Sequence, residues 1–205
     1  MDKETDINPD QGAPLQIAIP SSAPRRAHPA LAWIGFQGLR LLGWRITGGF
    51  VDQPKLIAVV APHSSNWDWI IGVCGLWALE LRFCYLIKKQ AMIWPVSLVI
   101  KRTGGIPIDR ARPIGVVEQL VNEFHASEKL WYAITPEGTR KSVSRWKNGF
   151  LRVAYDADVP VVPVSIDYPS RRINVGEPFD LSGDIDMDLD SIRKYFEPFT
   201  GRARN

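Results

Sequence analysis

Short apolar runs alternate with longer stretches of helical spacing along most of the chain. Three runs, LIAVVAPH at 56–63, RFCYLIKK at 82–89 and KLWYAITP at 129–136, are short and strongly apolar, as buried strands are. Between the last two, residues 113–125 begin with a proline and place apolar residues on one face of a helix. This alternation predicts a single α/β domain in which helices flank a mostly parallel sheet.

The N-terminal part of the chain departs from this pattern. Residues 1–29 are rich in proline and polar residues and contain no long apolar region, so no cleavable signal peptide is evident. They predict a flexible arm that precedes a domain at 30–205.

The segment ALAWIGFQGLRLLGWRI, at 30–46, is strongly apolar but shorter than the roughly 20 residues that span a bilayer. Its aromatic residues and the neighbouring arginines suit a helix that lies in the headgroup region of a membrane. A core helix packed on the domain explains the same composition equally well, and both interpretations stay open.

Two prolines interrupt the apolar run VPVVPVSI at 159–166. A proline has no amide hydrogen to donate to a neighbouring strand, so Pro160 and Pro163 argue against a central, fully paired strand. They predict a strand at the margin of the sheet, or one that lines a groove for an apolar chain.

Composition and charge exclude several classes of function. The chain has 205 residues, 45% of them hydrophobic, which suits one domain with a substantial core. Its net charge of +3 is too mild to indicate nucleic-acid binding. Cys74 and Cys84 lie in apolar surroundings without a zinc-binding pattern, which favours core thiols in a reducing compartment.

The stretch PHSSNWDW, at 62–69, contains the first candidate chemistry. His63 follows a predicted strand, and Ser65 is a good helix N-cap with Asp68 at the third helical position. In that arrangement the carboxylate can orient the imidazole and leave its second nitrogen as a base. The pair alone stays ambiguous, because a capping box needs no catalytic role. His28 and His125 show no metal-binding spacing, and no nucleophile turn or phosphate-binding loop is present.

Two further polar blocks follow predicted strands. GGIPIDR, at 104–110, ends in Arg110, whose planar guanidinium suits a phosphate, although a surface ion pair explains it as well. TPEGTRK, at 135–141, places Thr139 and Arg140 beside a glycine in a turn that can hold an anion, or that is an ordinary turn. Lys147 either adds to such a site or, as the favoured alternative, precedes a surface helix.

Together, HSSNWD, GGIPIDR, PEGTR and VPVVPV resemble, in order, the four blocks of the PlsC-like glycerolipid acyltransferases, which include the lysophosphatidic acid (1-acylglycerol-3-phosphate) acyltransferases. The resemblance covers about residues 59–163 and includes the H-x-x-x-x-D motif. It implies a glycerolipid acyltransferase-like α/β fold. It also implies acyl transfer from acyl-CoA or acyl-carrier protein to the hydroxyl of a lysophosphatidic acid-type acceptor in phospholipid synthesis.

The resemblance also implies a role for each matching residue. His63 would be the general base and Asp68 its orienting partner. Arg110 would bind the acceptor phosphate, and a turn would bind the acceptor through Glu137, Gly138, Thr139 and Arg140. Pro160 and Pro163 would shape the acyl groove. No cofactor or metal is expected, and the expected partners are the substrates and the cytoplasmic face of a membrane, to which the protein would bind peripherally.

Two alternatives remain at the level of the sequence. The acceptor is another lysophospholipid or an amino-acid-linked lysolipid in the first. In the second, the chain is a non-catalytic lipid-binding module, which gives no reason for His63 and Asp68 to occur together.

Overall fold

A computed structural model describes residues 19–49, 51–88, 90, 92–102, 104–108, 113–139, 143 and 145–202. Strands and helices alternate through these residues, as the apolar pattern predicts. In chain order the elements are α1 (Pro29–Leu42), β1 (Arg45–Gly48), β2 (Lys55–Ala61), α2 (Asn66–Ala78), β3 (Phe83–Lys88), α3 (Val96–Arg102), β4 (Gly105–Ile108), α4 (Pro113–Ala126), β5 (Leu130–Ile134), α5 (Gly149–Ala157), β6 (Val161–Asp167), β7 (Arg172–Val175) and α6 (Ile185–Phe196).

Within the described residues, one sheet of seven strands has the order β1-β7-β6-β2-β5-β3-β4. The five strands from β6 to β4 are parallel to one another, while β7 runs antiparallel to β6 and parallel to β1. The expected mostly parallel α/β sheet is therefore confirmed. Because β2 lies between β5 and β6, the loops that follow these three strands meet at one edge, where ligands of such sheets bind.

The position of β6 differs from the sequence prediction, because this strand is paired on both sides. Pro160 precedes the strand, which begins at Val161. The ladder with β7 begins at Val164, so Pro163 lies just beyond it, and its carbonyl accepts the Gly176 amide at 2.9 Å. The missing amide hydrogen of Pro163 thus falls where β7 has ended, which explains how an interior strand tolerates it.

The predicted flexible arm, 1–29, lies partly outside the described residues. Its described part packs against the domain: Ala23 is buried, and Arg25 forms an isolated antiparallel bridge with Leu81. The Lys129 ammonium also donates to the Ser21 carbonyl at 2.6 Å. The expectation of a flexible arm is therefore wrong for residues 19–28, because buried apolar groups and hydrogen bonds fix them.

The apolar segment 30–46 forms two elements rather than one helix. α1 ends where Gly43 adopts a left-handed conformation with φ of 69°, and Trp44 and Ile46 then enter the core around β1. Gly35 lets α1 approach α2 closely, since an added Cβ would lie 2.5 Å from backbone atoms of Cys74 and Ala78. One face of α1 is thus packed, as in a core helix.

The opposite face of α1 exposes large apolar side chains. Trp33 is 65% exposed and Leu41 is 85% exposed, and Ile34 lies beside them on the surface. The packed face agrees with a core helix, and membrane binding by the exposed face stays a prediction. Among the described residues, no helix is both long enough and apolar enough to cross a membrane.

The two faces of the sheet carry separate apolar cores. One core lies under α1 and α2 and includes Trp44, Ile71 and Trp131. The other lies under α4, α5 and α6 and includes Phe124 and Phe150. Cys74 and Cys84 are half-buried free thiols, and burial raises the pKa of both.

Candidate active site

His63 and Asp68 meet at the carboxyl edge of the sheet, beside the interior strand β2. His63 lies in the loop after β2, and Asp68 lies in the first turn of α2. The His63 Nδ1 atom is 3.1 Å from the Asp68 Oδ2 atom, and the histidine side chain is 21% exposed. The carboxylate can therefore orient the ring through Nδ1, which leaves Nε2 for chemistry.

A capping box holds the loop and the helix start together, as the sequence predicts. The Ser65 side chain caps α2, and the Asp68 carboxylate accepts the amides of Ser64 at 2.7 Å and Ser65 at 2.8 Å. These bonds satisfy amides that a helix start would otherwise leave unpaired. The same carboxylate thus caps the helix and contacts the imidazole, so the structural and functional interpretations of Asp68 are compatible.

Tyr168 gives Asp68 a further partner, which sequence reasoning missed. Its hydroxyl donates to the Asp68 Oδ1 atom at 2.6 Å, from the residue that directly follows β6. Burial opposes the charge on Asp68, but hydrogen bonds from His63, Tyr168, Ser65 and Ser64 outweigh it and lower the pKa of the carboxyl. Asp68 is consequently a fixed anion, although it is only 3% exposed.

Residues beyond α6 close over the same loop. The Arg202 amide donates to the Ser64 hydroxyl at 2.7 Å, and the Thr200 carbonyl accepts the Tyr168 amide at 3.0 Å. The Arg202 guanidinium lies 5.4 Å from the centre of the Trp67 ring. The loop that carries His63 is thus held by segments from both halves of the chain.

The turn after β5 contacts His63 directly, because β5 is the neighbour of β2. The Glu137 Oε1 atom accepts the backbone amide of His63 at 2.9 Å. The sequence prediction placed Glu137 at the acceptor, whereas this contact holds the backbone of the histidine. Gly138 has a φ of 63°, and a Cβ there would lie 2.8 Å from the Lys147 side chain.

A cavity of about 1550 Å³ opens beside His63 and Asp68. This volume exceeds the roughly 300–1,000 Å³ of typical small-ligand pockets. Its polar part includes Thr135, Gly138, Thr139 and Lys147. Lys147 therefore lies at this site, although the sequence favoured a surface role for it.

The apolar part of the cavity continues between α2 and α3, over the sheet. Gly72 lines it, and a Cβ added there would meet no neighbouring side chain within 4 Å. The small side chains of Ala58 and Ala133 contribute to its wall. Val96 and Ile100 of α3 also line it. An extended apolar chain fits such a channel better than a compact polar ligand does.

Two groups of predicted site residues remain to be placed. Arg110 and Arg140 lie outside the described residues. Among the described residues that line the cavity, neither Pro160 nor Pro163 occurs, and Pro163 instead packs near Gly176, beside Tyr195. Pro163 pairs with Val59 of β2, and the assignment of the two prolines to the acyl groove stays a prediction.

The described parts of the chain contain no group of three or more histidine, cysteine, aspartate or glutamate side chains that could hold a metal ion.

Comparisons of sequence and of fold relate this chain to known proteins. Residues 50–167, more than half of the chain, match the family described as Acyltransferase. The match ends one residue before Tyr168, so it includes His63, Asp68 and Glu137 but neither Tyr168 nor Arg202.

Curated relatives match at modest identity. A probable 1-acyl-sn-glycerol-3-phosphate acyltransferase of Mycoplasma genitalium is 27% identical over 146 residues, which cover 65% of this chain and 51% of that protein. The human 1-acyl-sn-glycerol-3-phosphate acyltransferase beta is 27% identical over 68% of this chain and 51% of its own length. The Escherichia coli enzyme is 26% identical over 57% and 49%. The chain spans about half the length of these relatives.

A solved structure has the same fold. The 1-acyl-sn-glycerophosphate acyltransferase PlsC of Thermotoga maritima superposes with a TM-score of 0.53, covering 84% of this chain and 81% of that one. Its sequence identity is 16%. The similarity in fold therefore covers most of the described residues, including some outside the family match at 50–167.

Proposed function

Since this chain belongs to the acyltransferase family, we propose that it transfers a fatty acyl group from a carrier thioester to the hydroxyl of a lysophosphatidic acid-type acceptor. The donor is acyl-CoA or acyl-carrier protein. The observation that carries the proposal is the His63 Nδ1 atom 3.1 Å from the Asp68 Oδ2 atom, beside a large cavity. The names of the relatives support the class of acceptor.

In the proposed reaction, the His63 Nε2 atom takes the hydroxyl proton of the acceptor as the oxygen attacks the thioester carbonyl. A tetrahedral intermediate forms, and its collapse breaks the carbon–sulfur bond. The departing thiolate takes the proton back from the imidazolium, so no atom is left over and no covalent enzyme intermediate is needed. Asp68 orients the ring and stabilises the imidazolium.

The cavity offers suitable surroundings for both substrates. Its apolar channel between α2 and α3 would hold the acyl chain. Thr139 and Lys147 would contact the phosphate of the acceptor, together with Arg110 and Arg140 as predicted from the sequence. Binding both substrates in reacting geometry lowers the entropic part of the barrier. Because a thiolate is a good leaving group, one well-placed base then suffices.

A peripheral position on the cytoplasmic face of a membrane is part of the proposal. The support is the exposed apolar face of α1, with Trp33, Ile34 and Leu41. The enzyme would thereby reach a lipid acceptor without removing it fully from the bilayer.

The test is transfer of a radiolabelled acyl group by the purified protein. The donors are acyl-CoA and acyl-carrier protein; the acceptors are lysophosphatidic acid, other lysophospholipids and an amino-acid-linked lysolipid. We expect lysophosphatidic acid to be the best acceptor. His63→Ala should lower kcat by about 10²-fold or more, because it removes the base.

His125→Ala is the matched control, since this exposed histidine lies on α4 and should leave kcat unchanged. Preference for another acceptor would redefine the substrate and keep the chemistry. Absence of transfer by the wild-type protein with every pair would favour the lipid-binding module instead. Substantial transfer by folded His63→Ala would remove His63 from its role.

A further inference from the structure

Large apolar side chains are exposed on α3 and on the residues just before it. We refer to Ile93, Trp94, Val96, Leu98 and Val99 as the α3 patch. All five are exposed, and Trp94 is 77% exposed. Exposed apolar residues that occur singly need no explanation, but five within the seven residues 93–99 are a concentration of the kind that marks an interaction site.

Basic side chains lie at one end of the α3 patch. Lys101 and Arg102 end α3 and are exposed, and the Arg26 guanidinium donates to the Arg102 carbonyl.

No acidic residue balances these charges within the segment. Residues 92–102 contain no aspartate or glutamate. The nearby Glu80 is engaged, since it pairs with Arg25 at 3.5 Å and accepts the His28 amide at 3.0 Å. The result is an apolar surface with a net positive margin, which is the composition of elements that lie in the interface of an anionic bilayer.

The α3 patch is also continuous with the apolar channel. Val96 belongs to the patch and lines the cavity, and buried Ile100, one turn further along α3, lines the same wall. An acyl chain that leaves a bilayer at this point would reach the channel beside Val96 without crossing water. Exposure of each methylene to water is unfavourable, so a channel that opens into lipid lowers the barrier to loading.

We infer that the α3 patch and its basic margin form a second membrane-docking surface, separate from α1, which inserts into an anionic lipid surface and aligns the mouth of the channel with it. The inference rests on the proposed function only for the origin of the acyl chain. Binding to vesicles does not require turnover, so the two can fail independently.

The first experiment measures partitioning of the full chain onto phosphatidylcholine vesicles that contain phosphatidylglycerol. Trp94→Ser with Leu98→Ser should weaken binding about tenfold or more. Ile93→Ser should weaken it by a smaller factor. Met187→Ser is the matched control, because Met187 on α6 is also 66% exposed, as Ile93 is, and should bind as the wild type does.

A charge variant tests the basic margin. Lys101→Glu should weaken binding severalfold on vesicles with phosphatidylglycerol and leave binding to pure phosphatidylcholine unchanged. Lys194→Glu, an exposed lysine in the last turn of α6, should change neither. Equal losses for the two lysine variants would show a general effect of net charge and overturn the assignment of this margin.

Transfer between short-chain, water-soluble substrates separates loss of docking from loss of folding. We expect the Trp94→Ser, Leu98→Ser variant to keep this activity while losing activity on vesicle-bound substrates. If no transfer occurs with any protein but vesicle binding still depends on the α3 patch, the proposed function fails and this inference stands.

Two results would overturn the inference. The first is wild-type vesicle binding by the Trp94→Ser, Leu98→Ser variant. The second is normal vesicle binding combined with a selective loss of transfer from acyl-carrier protein, which would assign the α3 patch to an acidic protein partner instead of a bilayer.

Discussion

Two buried aspartates, Asp68 and Asp188, accept hydrogen bonds from the same kinds of group but differ in one partner. Each lies near the N-terminal end of a helix, α2 or α6, and each accepts two backbone amides and a tyrosine hydroxyl. The tyrosine is Tyr168 for Asp68 and Tyr155 for Asp188. In both cases burial opposes the charge, and hydrogen bonds outweigh it and lower the pKa of the carboxyl.

The difference lies in the remaining partner. Asp68 contacts the imidazole of His63, whereas Asp188 also accepts the hydroxyl of Ser182 at 2.7 Å. Asp68 lines the large cavity, and Asp188 is absent from the described residues that line it. A carboxylate clamped by a tyrosine and two amides is therefore a structural device in this protein. The histidine and the cavity are what make one copy of it a candidate active site.

The largest contrast is expected between Asp68→Asn and Asp188→Asn. Both variants lose a charged acceptor of buried hydrogen bonds and should lower the free energy of unfolding by about 1–3 kcal/mol. Only Asp68→Asn should also lower kcat, by about 10²-fold, because the imidazole loses its orienting partner. Urea unfolding and acyl transfer per folded molecule measure the two effects. Equal losses of kcat in both variants would break the comparison.

A smaller contrast is expected between Tyr168→Phe and Tyr155→Phe. Each removes one hydroxyl that donates to a buried carboxylate and should lower the free energy of unfolding by about 1–2 kcal/mol. Tyr168→Phe should also lower kcat by roughly tenfold with little change in KM, because Asp68 then holds the imidazole less firmly. Tyr155→Phe should leave both constants unchanged. If kcat is unaffected by Tyr168→Phe, this tyrosine serves the fold alone.

The smallest effect concerns the pH dependence of stability. The pKa of both aspartates is lowered from the ordinary value of 3.8, so each stabilises the native state above about that pH. This contribution is lost as the pH falls through the lowered pKa of the folded state. As the pH falls from neutral to acid, the free energy of unfolding of the wild type should therefore approach that of either asparagine variant. A difference that grows toward acid would contradict both pKa directions.

Local features of the sequence were sufficient to predict the pair of His63 and Asp68. Ser65 and Asp68 form a capping box within four residues, and His63 lies two residues before Ser65, so their geometry follows from rules for a helix start. Tyr168 lies 100 residues after Asp68, and its contact depends on β6 lying beside β2. No local sequence pattern encodes the pairing of β6 with β2. A polar residue at the end of a predicted strand is nevertheless a candidate partner for a site at that edge of the sheet.

The alternation of strands and helices was predictable, but the order of strands was not. β1 was not predicted, because its four residues, RITG, contain one large apolar side chain and the first two belong to the apolar segment 30–46. The prolines of β6 indicated a sheet margin, since the sequence does not reveal that β7 stops short of Pro163. Glu137 was assigned to the acceptor because its bond to the His63 amide requires β2 and β5 to be neighbours.

The close approach of α1 to α2 at Gly35 has a mechanical consequence. Side chains normally separate two packed helices, but here the backbone of α1 at Gly35 lies directly against the backbone of α2 near Cys74 and Ala78. α2 also carries Asp68 in its first turn, so a displacement of α1 toward α2 would act on the helix that orients His63. Gly35→Ala would force the two helices apart. Acyl transfer by this variant would show whether the position of α1 affects turnover.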